Sequence, residues 1–159
     1  MTADLLVILT GASRGLGQAM AAQYLADGAF VLGLSRRESS GLAPSGAGGL
    51  EQWPADLADP LPVAERLATW LAGFERRATG RLPSRVRLIH NAALLSEPGN
   101  VAETDAAEMA QSLRIGLEAP VALTATFLRA TAHWSASDRR VLFVSSGLGR
   151  RPMAGSAAY

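Results

Sequence analysis

The segment Leu5-Leu6-Val7-Ile8-Leu9-Thr10 constrains this chain most, because a continuous apolar run is cut off abruptly by Thr10-Gly11. An unbroken run of this length, rather than an alternating one, suits a strand covered on both faces, as in a parallel sheet. The stretch after it, Ala12 to Gly17, carries two more glycines and leads into Leu16 to Asp27. There Leu16, Met20 and Leu25 fall near one helical face, and Gly28 supplies a stop. Ala29 to Leu34 is a second apolar run. Strand, helix and strand within about thirty residues make a βαβ unit.

The rest of the chain continues the alternation. Glu38 to Gly49 is rich in Ser, Gly, Ala and Pro and is expected as a flexible surface loop rather than a domain linker. Glu51 to Ala55 is expected as a short third strand, interrupted by Pro54. In Leu61 to Arg77 the apolar residues Val63, Leu67, Trp70, Leu71 and Phe74 recur at helical spacing, so the aromatic stripe reads as core. Val86 to Ile89 is a fourth strand, Thr104 to Trp134 is largely helical with a kink or break at Pro120, and Val141 to Val144 is a fifth strand. The expected order is β-α-β-loop-β-α-β-α-β, an open, doubly wound parallel sheet in a three-layer α/β/α arrangement. With 159 residues and 48% hydrophobic content, residues 1–159 suit a single domain.

Charge and residue usage remove several function classes. Fifteen basic against fourteen acidic residues leave a net charge of +1, so neither nucleic acid nor an anionic membrane is expected as a partner. Every basic residue is Arg; the chain has no Lys. It has no Cys either, which excludes disulfides, thiolate metal sites and a cysteine nucleophile, and fits a reducing cytoplasm. The early apolar run is too short for a membrane span and lacks a basic flank, so a soluble cytoplasmic protein is expected. His90 and His133 are far apart and form no helical metal-binding pair; both read as ordinary polar residues, and no metal site is expected.

Thr10-Gly11-Ala12-Ser13-Arg14-Gly15-Leu16-Gly17 follows a buried strand and opens a helix, the setting a dinucleotide-binding turn requires. Gly11 permits the sharp exit from the strand, Gly15 and Gly17 admit close backbone approach, and the amides at the helix start face phosphates. A Walker-type phosphate loop needs a Lys that this chain lacks. An S-adenosylmethionine site, like an NAD-type ribose site, wants a carboxylate at the end of the second strand, where this chain reads Leu34-Ser35-Arg36-Arg37. Arg36, with Arg14, suits the extra phosphate of NADP, since a guanidinium matches phosphate in geometry and charge, so NADP(H) is favoured over NAD(H). Asp56 and Leu57 are placed to meet the adenine edge, though an ordinary helix-capping Asp reads the same way.

Together these residues resemble the short-chain dehydrogenase/reductase family. The turn Thr10 to Gly17 is similar to that family's cofactor signature, and His90-Asn91-Ala92-Ala93 resembles its Asn-Asn-Ala-Gly segment. Glu118-Ala119-Pro120 is similar to its central helix, and Ser145-Ser146-Gly147 and Tyr159 have the order and spacing of its catalytic Ser and Tyr. The resemblance implies a Rossmann-type fold and hydride transfer between NADP(H) and a small carbonyl or alcohol substrate. The cofactor residues it implies with the turn are Gly11, Ser13, Arg14, Gly15, Leu16, Gly17, Arg36, Asp56, Leu57, Asn91, Ala92 and Ala93; the catalytic pair is Ser146 and Tyr159. A homodimer or homotetramer of the full-length protein is implied as well.

Two positions depart from the family's pattern. Gly116 stands where the family has an Asn that holds a proton-relay water, and the Lys expected four residues after the Tyr is absent because the chain stops at Tyr159. A phenol titrates near pH 10 unaided, so a neighbouring cation is what fits it for work at neutral pH. The expectation is a fragment, incomplete at its C-terminus and lacking the last strands of the sheet, with weak or absent turnover of its own. The alternative is a non-catalytic dinucleotide-binding or interaction module derived from such an enzyme. Pro152 and Met153 fit the substrate side or loop packing equally well.

Overall fold

A computed structural model describes residues 3–44, 48–77, 82–95, 98–136, 138–151 and 153–156. The elements are β1 (Leu5–Thr10), α1 (Gly15–Ala26), β2 (Phe30–Ser35), β3 (Gly49–Pro54), α2 (Pro60–Arg77), β4 (Arg85–His90), α3 (Ala106–Leu113), α4 (Ala119–Ala130) and β5 (Asp138–Phe143). The strands pair in parallel in the order β3-β2-β1-β4-β5. The chain winds outward from β1 to β3, then crosses back through α2 to lay β4 against the other side of β1. That reversal opens a crevice beyond the carboxyl ends of β1 and β4, where ligands of such sheets sit.

Burial follows the two-residue period of a strand. Leu6 and Ile8 of β1 join Phe30, Leu32, Leu34, Val86 and Leu88 beneath α2 and α4, while Leu5, Val7 and Leu9 join Val31, Ala21, Leu25 and Ile89 beneath α1. This explains why the first run is apolar at every position: helices cover both faces. The α2 stripe is core, with Trp70 packed against Phe30, Trp53 and Phe74, and Phe74 stacked on Trp134. The one polar atom of the Trp70 indole is satisfied, as Nε1 donates to Glu51 Oε2 at 2.8 Å.

Helix α1 sits close to the sheet because it buries Gly17, Ala21 and Leu25. The expected face is therefore corrected at Leu16, which is exposed, while Met20 packs partly buried against the core and Leu25 is buried as expected. Gly28 does stop the helix, at φ +79°, with its N–H donating to Leu25 O and the N–H of Ala29 to Tyr24 O, a left-handed cap that glycine adopts without strain.

Other expectations shift in place. The third strand runs uninterrupted over Gly49–Pro54 because Pro54 is its last residue on the sheet edge, where a missing N–H is cheap. The Glu38 to Gly49 stretch is not wholly a surface loop: Ser39 and Leu42 are buried and Gly49 opens β3, while residues 45–47 lie outside the described set. Thr104 to Trp134 divides into α3, a wide turn of π type at Arg114–Glu118, and α4. The irregular turn precedes Pro120, whose missing N–H falls in the first turn of α4, where it is tolerated. Among the described residues no helix is long and apolar enough to cross a membrane.

Candidate functional site

The crevice is a cleft of about 830 Å³ at the carboxyl ends of β1, β2 and β4. Its floor is the turn from β1 into α1. Gly11 leaves the strand at φ +71°, and a Cβ there would come within 2.9 Å of Asn91 Nδ2. Gly17 is tighter still, since a Cβ would overlap the Gly11 carbonyl oxygen. Gly15 is left-handed at φ +54° with nothing within 4 Å of its missing side chain, so its backbone faces open cleft.

The start of α1 is electrostatically bare. Arg14 occupies the N-cap with an extended backbone and makes no side-chain cap hydrogen bond, and the first turn holds no acidic residue. The opening amides, which have no partner inside the helix, and the positive end of the helix dipole therefore meet the cleft uncompensated. Arg14, Arg36 and Arg37 all line it and are exposed. The arrangement can hold an extended polyanion, with backbone N–H groups at one point and guanidinium groups beside it.

The opposite wall is tied to the turn. Thr10, nearly fully buried, accepts from the N–H groups of Asn91 and Ala92 through Oγ1, both at 3.0 Å. Asn91 Nδ2 donates back to the carbonyls of Thr10 and Gly11 at 3.1 and 3.3 Å. The ends of β1 and β4 thus form one rigid corner.

All twelve cofactor residues named from the sequence line this cleft. Sequence reasoning missed Leu34, Ser35, Ala55, Leu94, Gln111 and Ile115, which line it as well. Leu34 and Ala55 already ended the expected strands and Ser35 lies one residue further, so all three were within reach, while Gln111 and Ile115 arrive by helix packing and leave no local signal. Asp56 accepts from Ala58 N at 3.0 Å in a local turn, and helix α2 begins only at Pro60.

Of the two residues expected to be catalytic, only Ser146 is among the described residues. Ser146 follows β5, half-buried, and its Oγ caps the short turn Gly147–Gly149 by accepting from Leu148 N at 3.3 Å. It does not line the cleft. Tyr159 and Pro152 lie outside the described residues, and Met153 is exposed. Gly116 is exposed within the π turn, with nothing within 4 Å of a Cβ placed there. His90 is buried, shares a 2.9 Å hydrogen bond with Thr124 Oγ1 and packs on the Phe143 ring; burial lowers its pKa to about 4. It is a satisfied core histidine. Among the described residues no group of three or more His, Cys, Asp or Glu could hold a metal ion.

Comparison with known proteins adds an independent line. The short chain dehydrogenase family model matches residues 5–159. The chain is 31% identical over 160 residues to a benzil reductase ((S)-benzoin forming) of Bacillus cereus, covering 96% of this chain and 61% of that protein. It is 31% identical over 155 residues to the benzil reductase of Bacillus subtilis, covering 97% and 60%. It thus spans about 60% of the length of these curated relatives. Among solved structures, a short-chain dehydrogenase/reductase from Burkholderia vietnamiensis superposes with a TM-score of 0.84 at 35% identity, covering 98% of this chain and 72% of that one. A metagenomic short-chain oxidoreductase in complex with NADP superposes with a TM-score of 0.74 at 25% identity, covering 99% and 69%.

Proposed function

The chain belongs to the short-chain dehydrogenase family, and from that premise we propose that residues 1–159 form a dinucleotide-binding unit serving an NADP(H)-dependent oxidoreductase. The reaction is hydride transfer between the nicotinamide and the carbonyl or alcohol carbon of a small molecule. The observation that carries this reading is the uncapped start of α1 facing the same cleft as Arg14 and Arg36.

The residues fit the group. Gly15 and Gly17 leave backbone where side chains would stand, and the amides of the first helical turn are free to donate to a pyrophosphate. Arg36 pairs with a 2′-phosphate, and no carboxylate ends β2 to repel it. Asp56 and Leu57, which line the cleft, would border the adenine, and Asn91, Ala92 and Ala93 would border the far end of the cofactor. Bound NADPH supplies the hydride. Ser146, whose Oγ accepts from Leu148 N and so keeps its own proton to donate, would hydrogen-bond a substrate carbonyl oxygen lying beyond the cleft lining, and the Tyr159 phenol would give that oxygen its proton. A cation beside that phenol would lower its pKa toward the working range; the 159 residues hold Arg but no Lys. The substrate is a small carbonyl compound; benzil is the first to offer, given the reductases named above. A homo-oligomer and a cytoplasmic setting complete the proposal.

The second reading, a dinucleotide-binding module without catalysis, is favoured by Gly116, which has no side chain to hold a relay water. One experiment separates the two: NADPH oxidation followed by loss of the reduced-nicotinamide absorbance with benzil and a panel of carbonyl compounds, using protein from the whole natural gene. Carbonyl-dependent oxidation supports the enzyme. Tight NADPH binding with no oxidation supports the module.

A further inference from the structure

The segment that presents Arg36 and Arg37 is pinned by a polar cluster that no charge or glycine signal announces. Ser39 is buried, 7% exposed, at the end of that segment. The Gln52 side chain on β3 grips its backbone twice: Oε1 accepts from Ser39 N at 2.8 Å and Nε2 donates to Ser39 O at 3.0 Å. The amide of Gln52 thus does for Ser39 what a neighbouring strand would do. From the other side, Gln18 of α1 donates through Nε2 to Ser39 Oγ at 2.8 Å. The near end of the segment is fixed too, since Ala55 N donates to Ser35 O at 2.9 Å and Ser35 Oγ to Arg37 O at 2.9 Å. Gln52 faces Gly33, its register partner on β2, where a Cβ would press on Ala12 Cβ at 3.0 Å and meet Gln52 Cγ only in ordinary contact at 4.0 Å.

Resting on the NADP(H) reading above, we infer that Gln52 and Gln18 are positioning residues for cofactor choice: acting through Ser39, they hold the Arg36–Arg37 turn ready to receive a 2′-phosphate. Neither glutamine is needed to touch the nucleotide. An exposed arginine on a loose loop must give up chain and side-chain freedom on binding, whereas one on a pinned three-residue span gives up only its own rotamers.

The test compares adenosine 2′,5′-bisphosphate with adenosine 5′-monophosphate, which differ only by the 2′-phosphate, in calorimetric titrations of the wild-type protein, Gln52→Leu, Gln18→Ala and Arg36→Ala. The expected result is a wild-type preference for the bisphosphate that Arg36→Ala abolishes. Gln52→Leu should lower that preference about fivefold, the worth of roughly one net hydrogen bond, leaving monophosphate affinity within about twofold. Gln52→Glu, which still accepts from Ser39 N but turns a carboxylate oxygen against Ser39 O, should lower the preference at least as far as Gln52→Leu. If Gln52→Leu does not fold, Gln18→Ala carries the same expectation. An unchanged preference in the glutamine variants, or equal loss for both ligands, overturns the inference while the Arg36 effect leaves the cofactor reading standing. A wild type without preference overturns both.

Discussion

Thr10→Val tests the corner that joins the two walls of the cleft. The substitution keeps the shape of the side chain and removes its hydroxyl, which is 1% exposed as part of Thr10 and accepts from two backbone N–H groups, those of Asn91 and Ala92, both at 3.0 Å. The same hydroxyl donates to the Ile89 carbonyl at 3.4 Å, a weaker bond. Each stranded N–H costs about 1–3 kcal/mol when water cannot replace its partner. Asn91 and Ala92 are half-buried, so water recovers part of this, and we expect a loss of about 2–4 kcal/mol. Against a total stability of about 5–15 kcal/mol that is a large fraction. Thr10→Ser keeps all three hydrogen bonds and gives up only a methyl group, about 1 kcal/mol. Urea unfolding of the three proteins measures both differences. A Thr10→Val protein within about 0.5 kcal/mol of wild type, or a Thr10→Ser protein as damaged as Thr10→Val, would refute the reasoning that the hydroxyl ties β1 to β4.

Three further outcomes follow from the same geometry. Gly17→Ala drives a Cβ into the Gly11 carbonyl and should cost about 3 kcal/mol or more, whereas Gly15→Ala meets no atom within 4 Å and should cost only the left-handed backbone penalty, about 1–2 kcal/mol; equal losses in urea would contradict the packing described. His90 has its pKa lowered from 6.5 to about 4 by burial, so the folded state favours the neutral ring, its stability contribution is complete above pH 6.5, and about 3 kcal/mol drains away as pH falls toward 4. Unfolding at pH 7 and pH 4.5 should show that loss in wild type and a smaller one in His90→Gln; parallel pH profiles would count against it. Arg36→Ala should weaken NADP⁺ binding about tenfold or more while sparing NAD⁺, and the wild-type advantage should shrink as salt is added.

Much of the fold could be read in the sequence because a parallel sheet covered on both faces writes itself as unbroken apolar runs, and β1 and β2 are such runs, whereas β4 flanks buried Val86 with Arg85 and Arg87 and was legible only from Val86, Leu88 and Ile89. The glycine turn was legible for a related reason: only a residue without Cβ fits at Gly11 and Gly17, so the chemistry of the turn is confined to a few adjacent positions. The start of β3 was not legible. Gly49 reads as loop, yet it pairs with Phe30, whose ring occupies the space a Cβ would need. The break before Pro120 was placed a turn late, because the proline is comfortable in the first turn of α4 and the irregularity falls on Arg114–Glu118 instead. The cleft residues Gln111 and Ile115, and the Ser39 cluster, depend on segments brought together by the whole fold, as the contact between Gln18 and Ser39 illustrates. Ser146 was singled out by spacing alone, and the structure sets it at the end of β5 rather than on the cleft.

Calorimetric titration of the folded protein with NADP⁺ and, separately, with NAD⁺ tests the central claim most directly. The free amides of α1 beside Arg14 and Arg36 predict saturable binding of both coenzymes, with NADP⁺ the tighter. No heat with either coenzyme, or tighter binding of NAD⁺, would contradict it.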